Sequence, residues 1–119
     1  MEKNCGEPKD FFPRRGDVIT IDLDPVRGHE QGGRRPALVL SADDYNRVVG
    51  LAIVIPITMK AKGYPFEVQI PQRFKVKGTI LADHIKCIDW RRRNAEHFDT
   101  LPAEVLEEVE AKLGPLIFP

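Results

Sequence analysis

The amino-acid sequence predicts a mainly β (α+β) fold, a small, partly open antiparallel barrel with a C-terminal amphipathic helix packed on it. About six short apolar runs, alternating or continuous, are separated by turn residues along the first three-quarters of the chain. The period then changes. Leu101, Val105, Leu106, Val109 and Leu113 recur at helical spacing, with glutamates filling the opposite face. At 119 residues the chain is long enough for one core and too short for two.

In chain order, residues 1–13 mix charge, Gly and two prolines, which predicts a flexible N-terminal arm before a single domain over 14–119. Ile19, Ile21 and Leu23 alternate with Thr20, Asp22 and Asp24 as a half-buried strand that Pro25 ends. Val26–Arg35 (VRGHEQGGRR) has three glycines, three arginines and no hydrophobic period, so it reads as a long loop of the kind that carries function. Ala37–Leu40 is a short strand, and Ser41 is placed to cap a helical turn through Asp43, Asp44 and Tyr45. Leu51–Ile57 is apolar and β-branched like a strand buried on both faces, and Phe66, Val68 and Ile70 mark a half-buried one. Gly78–Ala82 and Ile85–Asp89 read as two strands around a bend near Asp83-His84. For the final helix, Thr100 can cap the start, Pro102 suits the first turn, and Gly114-Pro115 form a stop.

A hydrophobic share of 42% with 30% charged residues is that of an ordinary soluble globular protein. No apolar run approaches the ~18 residues of a membrane span, and the charged, proline-broken start is unlike a signal peptide. Cys5 and Cys87 form no paired motif, so neither a disulfide framework nor a metal site is expected, and the predicted location is cytoplasmic. Net charge is zero, which excludes a generally basic nucleic-acid binder. The distribution is uneven, however. Of 18 bases and 18 acids, one base and four acids fall in residues 102–119, leaving 17 and 14 in the rest, a local charge of +3. The bases cluster as Arg14-Arg15, Arg34-Arg35 and Arg91-Arg92-Arg93, and a phosphate backbone responds to that local field.

Three isolated histidines and scattered acids make no metal-ligand cluster, and there is no Walker-type phosphate loop or Cys/His or Ser/His signature. Metal-free phosphoryl transfer is among the few reactions this inventory supports. RNA carries its own nucleophile in the 2′-hydroxyl. An enzyme must then orient it, take its proton, stabilise the transition-state charge and protonate the leaving oxygen.

The run GDVITIDLDPVRGHEQGGRRPALVLS (Gly16–Ser41) resembles the opening of MazF/PemK toxins, in which a strand ending D-x-D-P leads into a G-x-E-Q-x-G-x-R-P loop. The similarity continues through IPIT (Ile55–Thr58), KGYPFEV (Lys62–Val68) and LADHIKCIDWRRR (Leu81–Arg93), spans roughly residues 14–117, and is nearest to the MazF branch. The resemblance implies an SH3-like barrel, a homodimer, and specific cleavage of single-stranded RNA to 2′,3′-cyclic phosphate and 5′-hydroxyl ends. It implies no cofactor. Its implied partners are a MazE-like antitoxin that lays an acidic segment over the basic groove, and operator DNA only by way of that antitoxin. By position, Arg35 matches the family's catalytic arginine, Thr58 its catalytic threonine, and Glu30 the loop glutamate linked to activity.

Each residue also has a plainer reading. Arg35 is a loop arginine or a guanidinium clamp on phosphate oxygens. Thr58 is a β-former or a hydroxyl donor to the same phosphate. Glu30 is a surface ion-pair partner or the base for the 2′-hydroxyl. His29 beside it is a candidate RNA contact and a second candidate proton carrier. His84, where relatives often carry glutamine, is a solvated side chain or a base contact. Gly33 and Gly32 supply loop mobility or close backbone approach to phosphate. Arg34, Lys62, Arg91 and Arg93 complete the candidate RNA track, with Trp90 assigned to the core or an interface and His97 to the surface. The competing function is that of CcdB-like toxins, which bind DNA gyrase through a similar barrel without catalysis. Such a binder would not need Arg35, Thr58 and Glu30 in this arrangement.

Overall fold

The computed structural model describes residues 10–22 and 33–119. Seven antiparallel strands are β1 (Asp17–Asp22), β2 (Arg34–Val39), β3 (Leu51–Thr58), β4 (Glu67–Gln69), β5 (Thr79–Leu81), β6 (Lys86–Asp89) and β7 (Glu96–Thr100). Helix α1 (Asp43–Val49) precedes β3, and α2 (Ala103–Ile117) follows β7. The order is β4-β5-β3-β2-β1-β7, with β6 also on β3, so the sheet bends without closing, as expected. Strand β3 is the hinge of this arrangement. Its Leu51–Val54 stretch pairs with β6 and its Ile57–Thr58 end with β5.

Strand alternation divides the apolar side chains between two cores. Val18, Leu38, Ile55 and Ile57 pack with Val68, Ile80 and the α2 residues Val105, Leu106, Val109 and Leu113. Ile19, Ile21, Ala37, Val39, Ala52 and Val54 face the other way, onto Ile88, Trp90 and Ala95. Phe11 and Phe12 lean on this second core, with the Phe11 ring edge-on to Trp90 at 5.9 Å. Trp90 is therefore a core residue. Its indole donates to the Asn46 carbonyl at 2.9 Å, while the fully buried Asn46 amide donates to Pro13 O and Ser41 O.

Several boundaries differ from expectation, each for a local reason. β7 (EHFDT) has one apolar residue, so no period announces it; it forms by pairing with β1. β2 begins at Arg34, three residues before the expected start, because β1 pairs with its polar end: Ile21 stands opposite Arg35 and Asp22 opposite Arg34. Ser41 does not cap α1. Its hydroxyl donates to the Asn46 side chain and accepts from the Ile53 N–H, and Ala42 holds the cap position. Thr100 belongs to β7 and Pro102 is the α2 cap. α2 also runs through Gly114-Pro115 to Ile117. Pro115 there deprives only the Ala111 carbonyl of a partner, and Ala111 is exposed to solvent. Among the described residues no helix is long and apolar enough to cross a membrane.

Candidate active site

The β2–β3 register pairs Ala37 with Pro56, Leu38 with Ile55 and Val39 with Val54. Arg35, two residues before Ala37, and Thr58, two residues after Pro56, lie at the same end of this pairing, although they are 23 positions apart in the chain. Alternation puts both on the face of the Trp90 core, at its open end: Arg35 shares the parity of Ala37 and Val39, and Thr58 that of Ala52 and Val54. Arg35 is exposed, and its Nη1 donates to the Arg34 carbonyl at 3.1 Å. Among the described residues no carboxylate lies within ion-pair distance of it. Gly33, at φ +67°, turns the chain into β2, and a Cβ there would come 3.5 Å from Arg35 Nη1. Thr58 is half-buried at the end of β3, opposite Thr79 of β5, and its Oγ1 accepts from the Lys60 N–H at 3.0 Å. A guanidinium with free donors at the same strand end as a hydroxyl can hold a phosphodiester and the extra charge it gains on attack.

Arg34 does not join this pair. It projects to the other side of β2, where Nη1 donates to Asp22 Oδ1 at 2.6 Å and Nη2 to the Thr20 carbonyl at 2.8 Å. Nη2 also reaches the Asn94 carbonyl, with Glu96 at 3.7 Å. Asn94, at φ 54°, donates to the second Asp22 oxygen at 2.7 Å. Hydrogen bonds from Asn94 and Arg34, and then the Arg34 charge, hold the Asp22 carboxyl below its usual range against partial desolvation. Arg93 belongs to this same knot, its Nη1 donating to the Asp22 carbonyl at 3.1 Å. Arg91 lies elsewhere, over the Trp90 ring at 4.7 Å.

Lys62 is exposed in the loop that follows Thr58, and its backbone N–H donates to Glu67 Oε2 at 3.0 Å. That bond, with others from the Gly63 and Tyr64 amides, lowers the Glu67 carboxyl pKa and pins the loop. His84 sits exposed in the bend between β5 and β6, five residues along from Thr79, with Asp83 at 3.7 Å. His29 and Glu30 lie outside the described residues. Among the described residues no three acidic, cysteine or histidine side chains are grouped to hold a metal ion. Sequence reasoning missed the Asp22–Asn94–Glu96 cage around Arg34, because its members come from three separate elements. It also missed Gly78, whose only signal was a glycine at the start of a strand.

Residues 14–117 match the family described as PemK-like, MazF-like toxin of type II toxin-antitoxin system. The chain is 43% identical over 107 residues to the endoribonuclease toxin MazF of Escherichia coli K12, covering 90% of this chain and 96% of that protein. It is 40% identical over 106 residues to endoribonuclease EndoA of Bacillus subtilis, with coverages of 84% and 90%. Among solved structures, a MazE-MazF crystal structure (Form-II) from Deinococcus radiodurans superposes with a TM-score of 0.87 at 52% identity, over 91% of this chain and 97% of that one.

Proposed function

The chain belongs to the PemK-like, MazF-like toxin family, and from that premise we propose that it is a sequence-specific endoribonuclease, the toxin of a toxin–antitoxin pair. Its substrate is single-stranded RNA, cut by the neighbouring 2′-hydroxyl to leave a 2′,3′-cyclic phosphate and a 5′-hydroxyl. The observation that carries this reading is the exposed Arg35 guanidinium at the same end of the β2–β3 pairing as the Thr58 hydroxyl, in a chain whose relatives are named endoribonucleases.

Arg35 clamps the non-bridging oxygens of the scissile phosphate with its planar fork. Thr58 donates its hydroxyl to the same phosphate. Together they favour the transition state over the ground state, because the phosphate gains negative charge as the 2′-oxygen attacks. Glu30, His29 or Arg35 itself takes the 2′-hydroxyl proton, and a proton is delivered to the leaving 5′-oxygen to give the 5′-hydroxyl. Gly33, Lys62 and His84 flank the centre as RNA contacts, Arg91 lies away from it over the Trp90 ring, and Arg34 and Arg93 serve first to brace the end of β1. The nucleophile is the substrate's own, so the reaction runs without a metal-activated water. The protein works as a homodimer in the cytoplasm, restrained by a MazE-like antitoxin, a reading supported by its likeness to a MazE-MazF structure from Deinococcus radiodurans.

The test is to incubate the antitoxin-free protein with a mixed RNA pool in EDTA and sequence the 5′ ends of the fragments. Cleavage at one short motif, abolished by Arg35→Ala and by Thr58→Ala in folded protein, is expected. Intact RNA after prolonged incubation would overturn the reading.

A further inference from the structure

Thr58 is held from two sides by groups that carry no chemistry of their own. On the side-chain side, the Lys60 N–H donates to Thr58 Oγ1 at 3.0 Å. A hydroxyl has one proton and two lone pairs, so this bond occupies one acceptor lobe, restrains χ1 and leaves the O–H free to point outward. It also polarises the hydroxyl and makes it a better donor. On the backbone side, β5 enters its pairing with β3 through Gly78, whose φ of +121° is open to glycine and strained for any other residue. A Cβ at Gly78 would stand 2.5 Å from the Thr58 carbonyl oxygen, 3.2 Å from its carbonyl carbon and 3.3 Å from Ile57 Cγ2. Two of these three are backbone atoms, which cannot rotate away. Restoring ordinary contact at 3.4 Å would part the two strands by about 0.9 Å at Thr58.

We propose that Gly78 and the backbone N–H of Lys60 are positioning groups for the Thr58 hydroxyl, Gly78 by letting β5 close directly on the Thr58 carbonyl and Lys60 by fixing the hydroxyl's direction. This rests on the reading of Thr58 as a donor to the scissile phosphate. A displacement near 1 Å at such a donor costs on the order of 100-fold in rate. The loss falls on kcat, because contacts that bind the rest of the RNA are untouched.

The experiment is a set of single-turnover cleavage assays on a short RNA bearing the motif read from the mixed-pool digest. Gly78→Ala is expected to lower kcat about 100-fold with KM little changed. Lys60→Pro, which deletes the N–H, is read against Lys60→Ala, which keeps it, and is expected to lower kcat about tenfold further. The deciding readout is the double-mutant cycle. In a Thr58→Ala background neither change should reduce kcat again, whereas a purely structural role would give additive losses. Should Gly78→Ala fail to fold, the Lys60→Pro cycle, made in an exposed loop, decides alone. Additive losses, or single variants that cleave like their references, would overturn the proposal. If Thr58→Ala itself cleaves normally, the reading of Thr58 falls instead, so the two failures are distinguishable.

Discussion

Arg34 and Arg35 are consecutive and identical in type, yet they stand in opposite situations. Arg34 turns toward Asp22, Thr20, Asn94 and Glu96 and spends its donors on protein oxygens. Arg35 turns to the other face of β2, where it is exposed and makes one bond to its neighbour's carbonyl. A guanidinium already bound to carboxylate and carbonyl oxygens would have to give them up to bind a phosphate, and an unengaged one would not. One arginine braces the end of β1, and the other keeps donors free, which is what the proposed phosphate clamp requires.

The sharpest test of this contrast is Arg35→Ala. Loss of the clamp should lower kcat about 1,000-fold, the upper range for one charge-stabilising donor, with the melting temperature unchanged. Thr58→Ala should follow with about 100-fold, since a neutral hydroxyl stabilises less charge than a guanidinium. Arg34→Ala should show the reverse pattern. Its half-exposed ion pair and carbonyl bonds are modest in strength, so Tm should drop by roughly 5 °C by calorimetry. Its kcat/KM should fall far less than that of Arg35→Ala. A loss of cleavage as deep as for Arg35→Ala, at unchanged Tm, would break the comparison.

The smallest effect lies in acid. The Asp22 carboxyl is depressed by Asn94 and Arg34, so its contribution to stability is fully present above the ordinary carboxylate range near pH 4. It is lost as pH falls through the depressed value. Thermal melts between pH 5 and pH 2 should show a shallower acid decline for Asp22→Asn than for the parent protein. Equal slopes would show that the cage around Arg34 is not held by charge.

Much of this molecule was legible in the chain because its signals are local. Alternation in Ile19–Ile21 and Phe66–Ile70, the β-branched run Leu51–Ile57 and the heptad-like leucines and valines of α2 each report burial of a face within one element. Motif order alone placed Arg35 and Thr58 in one candidate site and supplied the family. By contrast, β7 exists because β1 offers it an edge, Ser41 leaves the helix cap because Asn46 is buried beside it, and Arg34 is engaged because Asp22, Asn94 and Glu96 converge on it. Which of two adjacent arginines is engaged by the protein, and that Gly78 must be bare beside Thr58, are matters of strand register and parity. Those depend on partners many residues away, whose positions are set only when the sheet has formed.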